Sequence, residues 1–305
     1  RVTDRIVQKY RKGMTLPLPE LFRSRTTESL GTSEAERLFA ALDNGESPVS
    51  IRFNPYKIGS QPEGRQVPWC RYGYYLDERP QFTLDPAFHG GAYYVQEASS
   101  MFLEAIFRQI FEPDAAPRIL DLCAAPGGKS FAAAMQMENT GSILSCDLHP
   151  HKIALIEKNA ARLGISILKA ETRSAAEFDP ALENGFDLVI ADVPCSGLGV
   201  IRKKPDIRYK PLDAIERLPA IQTAILENVC RYVRPGGTLL YSTCTVRKEE
   251  NEDVARTFLW AHPEFSPEPF AVPAGLDLKN EGYATLLPQK HAADGFFICK
   301  LRRHA

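Results

Sequence analysis

The chain has 305 residues, 44% of them hydrophobic and 25% charged, the balance of a globular protein with one large core or two smaller ones. No apolar run is long enough to span a bilayer and no charged-then-apolar leader is evident, so no membrane association is expected. The formal net charge of -1 excludes a bulk polycation and leaves any nucleic-acid contact to local patches. Seven cysteines, an odd number scattered without a CxxC pair, argue against a disulfide framework and against zinc; they point to a reducing cytoplasm, and no metal is expected.

In chain order, Leu16 to Leu42 suggests short helices, and Val49-Ser-Ile-Arg-Phe53 alternates like a half-buried strand. A Pro-, Gly- and Tyr-rich stretch runs from Asn54 to Tyr94, followed by a helix near Glu97 to Phe111. Trp69 and the tyrosines at 72, 74 and 75 read as core rather than as a stacking platform. Residues 1–110 thus form a smaller α+β domain with a connecting helix, and 111–305 a larger one.

In the larger domain strands and helices alternate. Arg118 to Cys123 is an apolar run leading into a Gly/Pro turn and a helix from Lys129 to Met137. Ser142 to Leu148 is a second strand, and the amphipathic helix Lys152 to Leu163 stops at Gly164. Ile165 to Lys169 and Phe186 to Ala191 are the third and fourth strands. A helix near Ala220 to Val233 ends at Pro235-Gly236-Gly237, and Thr238 to Tyr241 is the fifth strand. Asn251 to Trp260 is a further helix and Phe296 to Leu301 a last strand. The rhythm predicts an α/β fold with a doubly wound, mostly parallel sheet.

In such sheets ligands sit outside the carboxyl ends of the strands. The loop after the first strand is Cys123-Ala124-Ala125-Pro126-Gly127-Gly128-Lys129, and its two glycines allow close approach to the backbone. A Walker loop would need Gly where Cys123 sits, and GxGxxG is absent. Asp147 ends the second strand about twenty residues on, where an acid can hold ribose hydroxyls. A mononucleoside without a pyrophosphate fits best, and S-adenosylmethionine is such a molecule.

The fourth strand ends in Asp192-Val-Pro-Cys195-Ser-Gly197 and the fifth in Ser242-Thr-Cys244. A single strand-end cysteine is ordinarily a small buried hydrophobe; two on neighbouring strands, with Asp192 on the cofactor side, are harder to read that way. In these segments the sequence resembles the RNA cytosine-5 methyltransferases of the NOL1/NOP2/Sun family: Ile119 to Lys129, Asp192 to Gly197 and Tyr241 to Thr245 match in order and spacing. Ile201 to Tyr209 and Lys248 to Asn251 look like the bacterial 16S rRNA methyltransferase B type, Val67 to Cys70 and Ala92 to Ser99 like the F type.

The resemblance implies a Rossmann-like methyltransferase sheet behind an RNA-contacting N-terminal module. It implies S-adenosylmethionine as cofactor, held by residues 123–129, Asp147 and Asp192, with Glu171 standing where relatives carry Asp in Asp-Gly-Arg. Cys244 becomes the nucleophile, Cys195 the residue assisting release, and Asp192 a partner of the cytosine ring. The RNA is ribosomal in the first instance and transfer RNA in the second, the base leaving its stack to react, and the protein is a cytoplasmic monomer. Arg202, Lys203, Lys204 and Arg208, directly after the Cys195 loop, are candidate phosphate contacts. Two rivals stand beside this reading. A DNA cytosine-5 methyltransferase would use Cys195 as nucleophile, and a non-catalytic ribosome-assembly factor would bind RNA only.

Overall fold

The computed structural model describes residues 17–44, 46–58, 64–112, 115–273, 276–278 and 280–305. The helical expectation that begins at Leu16 lies outside these residues up to Pro17. A helical hairpin comes first, α1 (Glu20–Leu30) and α2 (Thr32–Asn44), with Gly31 at φ 79° making the turn. Phe22, Ala35, Leu38, Phe39 and Leu42 bury their side chains against Leu198, Ile201 and Ile207, in the segment after Cys195. The hairpin is therefore a clamp on that segment, not an independent lobe.

A small antiparallel sheet follows, ordered β2-β1-β3, from β1 (Val49–Phe53), β2 (Gly73–Leu76) and β3 (Tyr93–Val95). Its first strand is not half-buried as the alternation suggested: Ser50, Ile51 and Arg52 are all buried. The polar members find partners inside, Ser50 donating to the Gln96 carbonyl at 2.6 Å and Arg52 pairing with Glu104 at 2.6 Å. Trp69, Tyr74 and Tyr75 are buried, as expected of core. From β3 the chain runs through a 3-10 turn into α3 (Leu103–Ile110). Met101, Phe102 and Phe107 there share one apolar core with Phe131, Leu240 and Phe296 of the larger unit.

The larger sheet has eight strands: β4 (Arg118–Asp121), β5 (Ser142–Asp147), β6 (Leu168–Thr172), β7 (Phe186–Asp192), β8 (Val233–Thr243), β9 (Phe265–Pro267), β10 (Tyr283–Leu286) and β11 (Phe296–Arg303). Seven lie in the order β10-β11-β8-β7-β4-β5-β6, and β9 pairs with β11. Strands β4 to β8 are parallel, while β11 runs antiparallel to β8 and β10 antiparallel to β11. Helices α4 (Gly128–Gln136), α5 (Pro150–Leu163), α6 (Leu218–Val229) and α7 (Glu252–Ala261) accompany it. Strand β7 is apolar along its middle because an interior parallel strand is covered on both faces. Strand order reverses beside β4, which opens a crevice between the carboxyl ends of β4 and β7.

Two expectations shift. The third strand starts at Leu168, not Ile165, because the Ile165 N–H bonds the Ala160 carbonyl and finishes α5, and Ser166 is held by Asn139. Pro235-Gly236-Gly237 does not end the helix, which stops at Val229 before a 3-10 turn. The three residues lie inside β8, where the register against β7 slips, making a bulge instead. No helix among the described residues is long and apolar enough to cross a membrane.

Candidate active site

The loop after β4 is shaped by its backbone. Ala124 N–H donates to the Cys146 carbonyl at 2.9 Å and Gly127 N–H to the Ala124 carbonyl at 2.6 Å. Gly127 has φ 106°, and a Cβ there would fall 2.2 Å from the Phe131 ring, so only glycine fits. A cavity of 420 Å³ opens in the adjacent crevice, with Cys123, Ala125, Asp147, Asp192, Pro194 and Ile221 in its wall. Asp147 ends β5 with its carboxylate accepting from His149 N–H at 3.1 Å and facing Lys152 at 3.3 Å. An acid at one end, a second at the other and apolar side chains between them fit S-adenosylmethionine, which pairs a ribose and a flat base with a charged sulfonium arm.

The other residues expected at the cofactor lie around the cavity rather than in its wall. Ala124, Pro126, Gly127 and Gly128 shape the turn without lining the cavity, and Lys129 reaches Asp192. Glu171 is engaged by Lys169 at 2.7 Å and Arg173 at 2.8 Å, is absent from the cavity wall, and its carboxyl is held below the usual range by those two cations. Ser174 and Ala175, which the sequence did not single out, line the wall on that side.

Strands β7 and β8 deliver the reactive groups side by side, with Asp192 opposite Ser242 in the parallel register. Asp192 accepts from Ser242 Oγ at 2.7 Å and from Lys129 Nζ at 2.6 Å. Burial works against the Lys129 charge, yet the Asp192 carboxylate outweighs it and lifts the ammonium above its ordinary value. Beyond the strand ends, the Cys195 and Cys244 sulfurs lie 3.1 Å apart. Among the described residues, the other six cysteines have their thiols pushed up, while Cys244 alone is drawn down. The hydrogen bond from Cys195 is the main cause, with Lys129 and Lys204 adding to it against burial and Asp192. Cys195 is raised by the same bond, by burial and by Glu250.

A buried polar frame fixes the two loops. Ser196 and Thr245, each following a cysteine, share a 2.8 Å bond between their hydroxyls. Gly199 N–H donates to the Cys244 carbonyl at 3.1 Å, and Gly295 N–H donates to the Gly199 carbonyl at 2.8 Å. Nothing in the local sequence announced Gly199, Gly295 or Asp294. Their spacing becomes meaningful only when β11 lies beside β8.

The basic run after Cys195 divides. Arg202 is not a phosphate contact presented to solvent: its side chain is 6% exposed and pairs at 2.8 Å with Asp294, which is fully buried. Arg208 is likewise enclosed, meeting Asp43 of α2 at 2.6 Å. Both are structural, because a buried guanidinium requires a carboxylate partner. Lys203 and Lys204 are exposed. No group of His, Cys, Asp and Glu suited to a metal occurs among the described residues.

The chain is similar to known proteins over most of its length. Residues 108–302 match the family described as 16S rRNA methyltransferase RsmB/F, and residues 18–98 match the N-terminal domain of 16S rRNA methyltransferase RsmF. The probable ribosomal RNA small subunit methyltransferase B of Bacillus subtilis is 42% identical over 223 residues, 71% of this chain and 49% of that protein. The ribosomal RNA small subunit methyltransferase F of Escherichia coli O139:H28 is 33% identical over 310 residues, 95% of this chain and 64% of that protein. The chain thus spans about half to two thirds of the length of these relatives. In fold it resembles NSun6 from Pyrococcus horikoshii with SFG, at TM-score 0.80 and 22% identity over 94% of this chain and 99% of that one. With a match running through both strand-end cysteines and the loop before α4, the chain belongs to the RsmB/F family of 16S rRNA methyltransferases.

Proposed function

We propose that this chain methylates carbon 5 of a cytosine in small-subunit ribosomal RNA, with Cys244 as nucleophile, Cys195 assisting release and S-adenosylmethionine as methyl donor. The observation that carries the reading is the sulfur pair: two thiols 3.1 Å apart, of which Cys244 is the more acidic, beside an Asp192 that also lines the cofactor cavity. Family membership supports the RNA substrate and speaks against the DNA-acting rival.

The chemistry follows from the base. Carbon 5 of cytosine is too electron-poor to take a methyl group directly. The Cys244 thiolate adds to carbon 6, forming a sulfur–carbon bond and moving an electron pair to carbon 5. The cofactor supplies the methyl group as a sulfonium that accepts that pair. The carbon 5 proton then passes to water, its bonding pair restores the ring double bond, and the sulfur–carbon bond breaks with its electrons returning to Cys244. Asp192, held by Lys129 and Ser242, hydrogen-bonds the ring where charge develops. Lys203 and Lys204 contact phosphate beside the site, while Arg202 and Arg208 hold the loop that carries them.

The test separates the sulfurs. Cys244→Ala abolishes both methylation and any covalent complex with RNA. Cys195→Ala loses turnover but accumulates an RNA–protein adduct that survives denaturing gels and maps to Cys244 by mass spectrometry. An adduct on Cys195, accumulating in the Cys244 variant, would reverse the assignment.

A further inference from the structure

The two cysteines are chemically identical and in contact, so something outside them decides which one carries the negative charge. Lys129 and Lys204 act on Cys244 and favour its thiolate, while Asp192 opposes it. On the other side stands Glu250, fully buried and outside the reacting set. Its carboxylate accepts from the N–H of Ser196, the residue after Cys195, at 2.8 Å. Gln222 of α6 donates to the same oxygen at 3.0 Å, and Arg247 faces the other at 3.4 Å. The Tyr241 hydroxyl of β8 donates to the Glu250 carbonyl, and that buried phenol stays protonated. Two side chains and one backbone N–H therefore hold the carboxylate against residue 196, next to Cys195, while Tyr241 holds the Glu250 main chain.

We propose that Glu250 is the positioning residue that assigns the two sulfurs their roles: its fixed charge keeps the proton on Cys195, which then donates to Cys244 and leaves Cys244 as the nucleophile. The direction of both thiol shifts agrees, Glu250 contributing to the raised Cys195. The inference rests on the function proposed above, but it concerns how the nucleophile is chosen rather than which reaction is run. A buried carboxylate fixed on the residue after Cys195 is worth about one unit of thiol acidity, a tenfold preference.

The experiment is alkylation of the whole chain with iodoacetamide across pH, each cysteine quantified by peptide mass spectrometry. In the unaltered protein Cys244 reacts first. In Glu250→Gln, which keeps the shape and removes the charge, the preference for Cys244 over Cys195 falls about tenfold, because the Cys195 thiol becomes more acidic, and the acidic limb of the methylation profile does not move up. Removing a negative charge makes Cys195 more acidic than it was and cannot make Cys244 less so, which fixes the sign. A folded Glu250→Gln protein with unchanged preference overturns the inference, since a purely structural role would lower stability without moving it. Preferential reaction of Cys195 in the unaltered protein is a different failure, that of the nucleophile assignment itself. If Glu250→Gln does not fold, Arg247→Gln gives the opposite sign: it strips the facing cation, so preference for Cys244 rises, and a fall or no change overturns the inference.

Discussion

The two sides of the sheet's carboxyl edge are built from different material. On the cofactor side, between β4 and β5, the shape comes from backbone: a glycine turn, hydrogen bonds between main-chain groups, and a wall of mostly small or apolar side chains with Asp147 at the end of β5. On the thiol side, past β7 and β8, it comes from buried polar side chains, among them Ser196, Thr245, Glu250 and Asp294, all fully enclosed. A backbone-shaped site can bear side-chain changes as long as no Cβ enters the turn. A site framed by buried charge has no such tolerance, because each partner removed leaves another unpaired in a place water cannot reach.

The largest effect tests that contrast directly. Asp294→Ala strands the Arg202 guanidinium and should cost about 3–5 kcal/mol of stability, read as a lower midpoint in urea unfolding. A loss below about 1 kcal/mol would mean that the buried pair is not what frames the thiol side. Next comes the one intolerant point of the cofactor side. Gly127→Ala places a Cβ on the Phe131 ring at a positive φ and should cost about 2–3 kcal/mol together with most adenosylmethionine binding; calorimetry alongside unfolding checks both.

A smaller effect sharpens the comparison. Asp147→Ala should weaken adenosylmethionine binding by about 1–3 kcal/mol through lost ribose hydrogen bonds and leave the unfolding midpoint nearly unchanged. Equal damage to binding and stability would show Asp147 to be part of the frame. The smallest effect belongs to the rim: neutralising Lys203 and Lys204 together should lower the salt slope of RNA binding by about 1.4, at roughly 0.7 per single-strand phosphate contact. An unaltered slope measured by filter binding would make these lysines solvent-facing charges and nothing more.

The sequence made the cofactor turn and both cysteines visible because each is a contiguous motif at a strand end, where strand, turn and chemistry are encoded within a few residues. The helices and parallel strands were legible for the same reason, through apolar runs broken by glycine and proline. What it hid was pairing at a distance. Arg202 and Arg208 looked like phosphate contacts because a charge run carries no sign of its partners, Asp294 and Asp43, which lie 92 and 165 residues away in the chain. Arg52 was misplaced on a half-exposed strand since Glu104, its partner, lies on α3 rather than in the small sheet. Glu171 followed the family motif, and its ion pairs with Lys169 and Arg173 come from residues beside it that the motif does not weigh. The bulge at Pro235-Gly236-Gly237 carries the same letters as a helix stop, and only the register against β7 distinguishes them.

The position of β11 has a consequence for how the site comes into being. Among the described residues it is the last strand in chain order, yet it sits inside the sheet between β10 and β8, and Gly295 just ahead of it packs on Gly199. Every contact that holds the Cys195 loop through Asp294 and Gly295 therefore waits for this strand. The parallel strands that carry the cofactor crevice do not include it, so the two sides of the edge draw on different stretches of the chain.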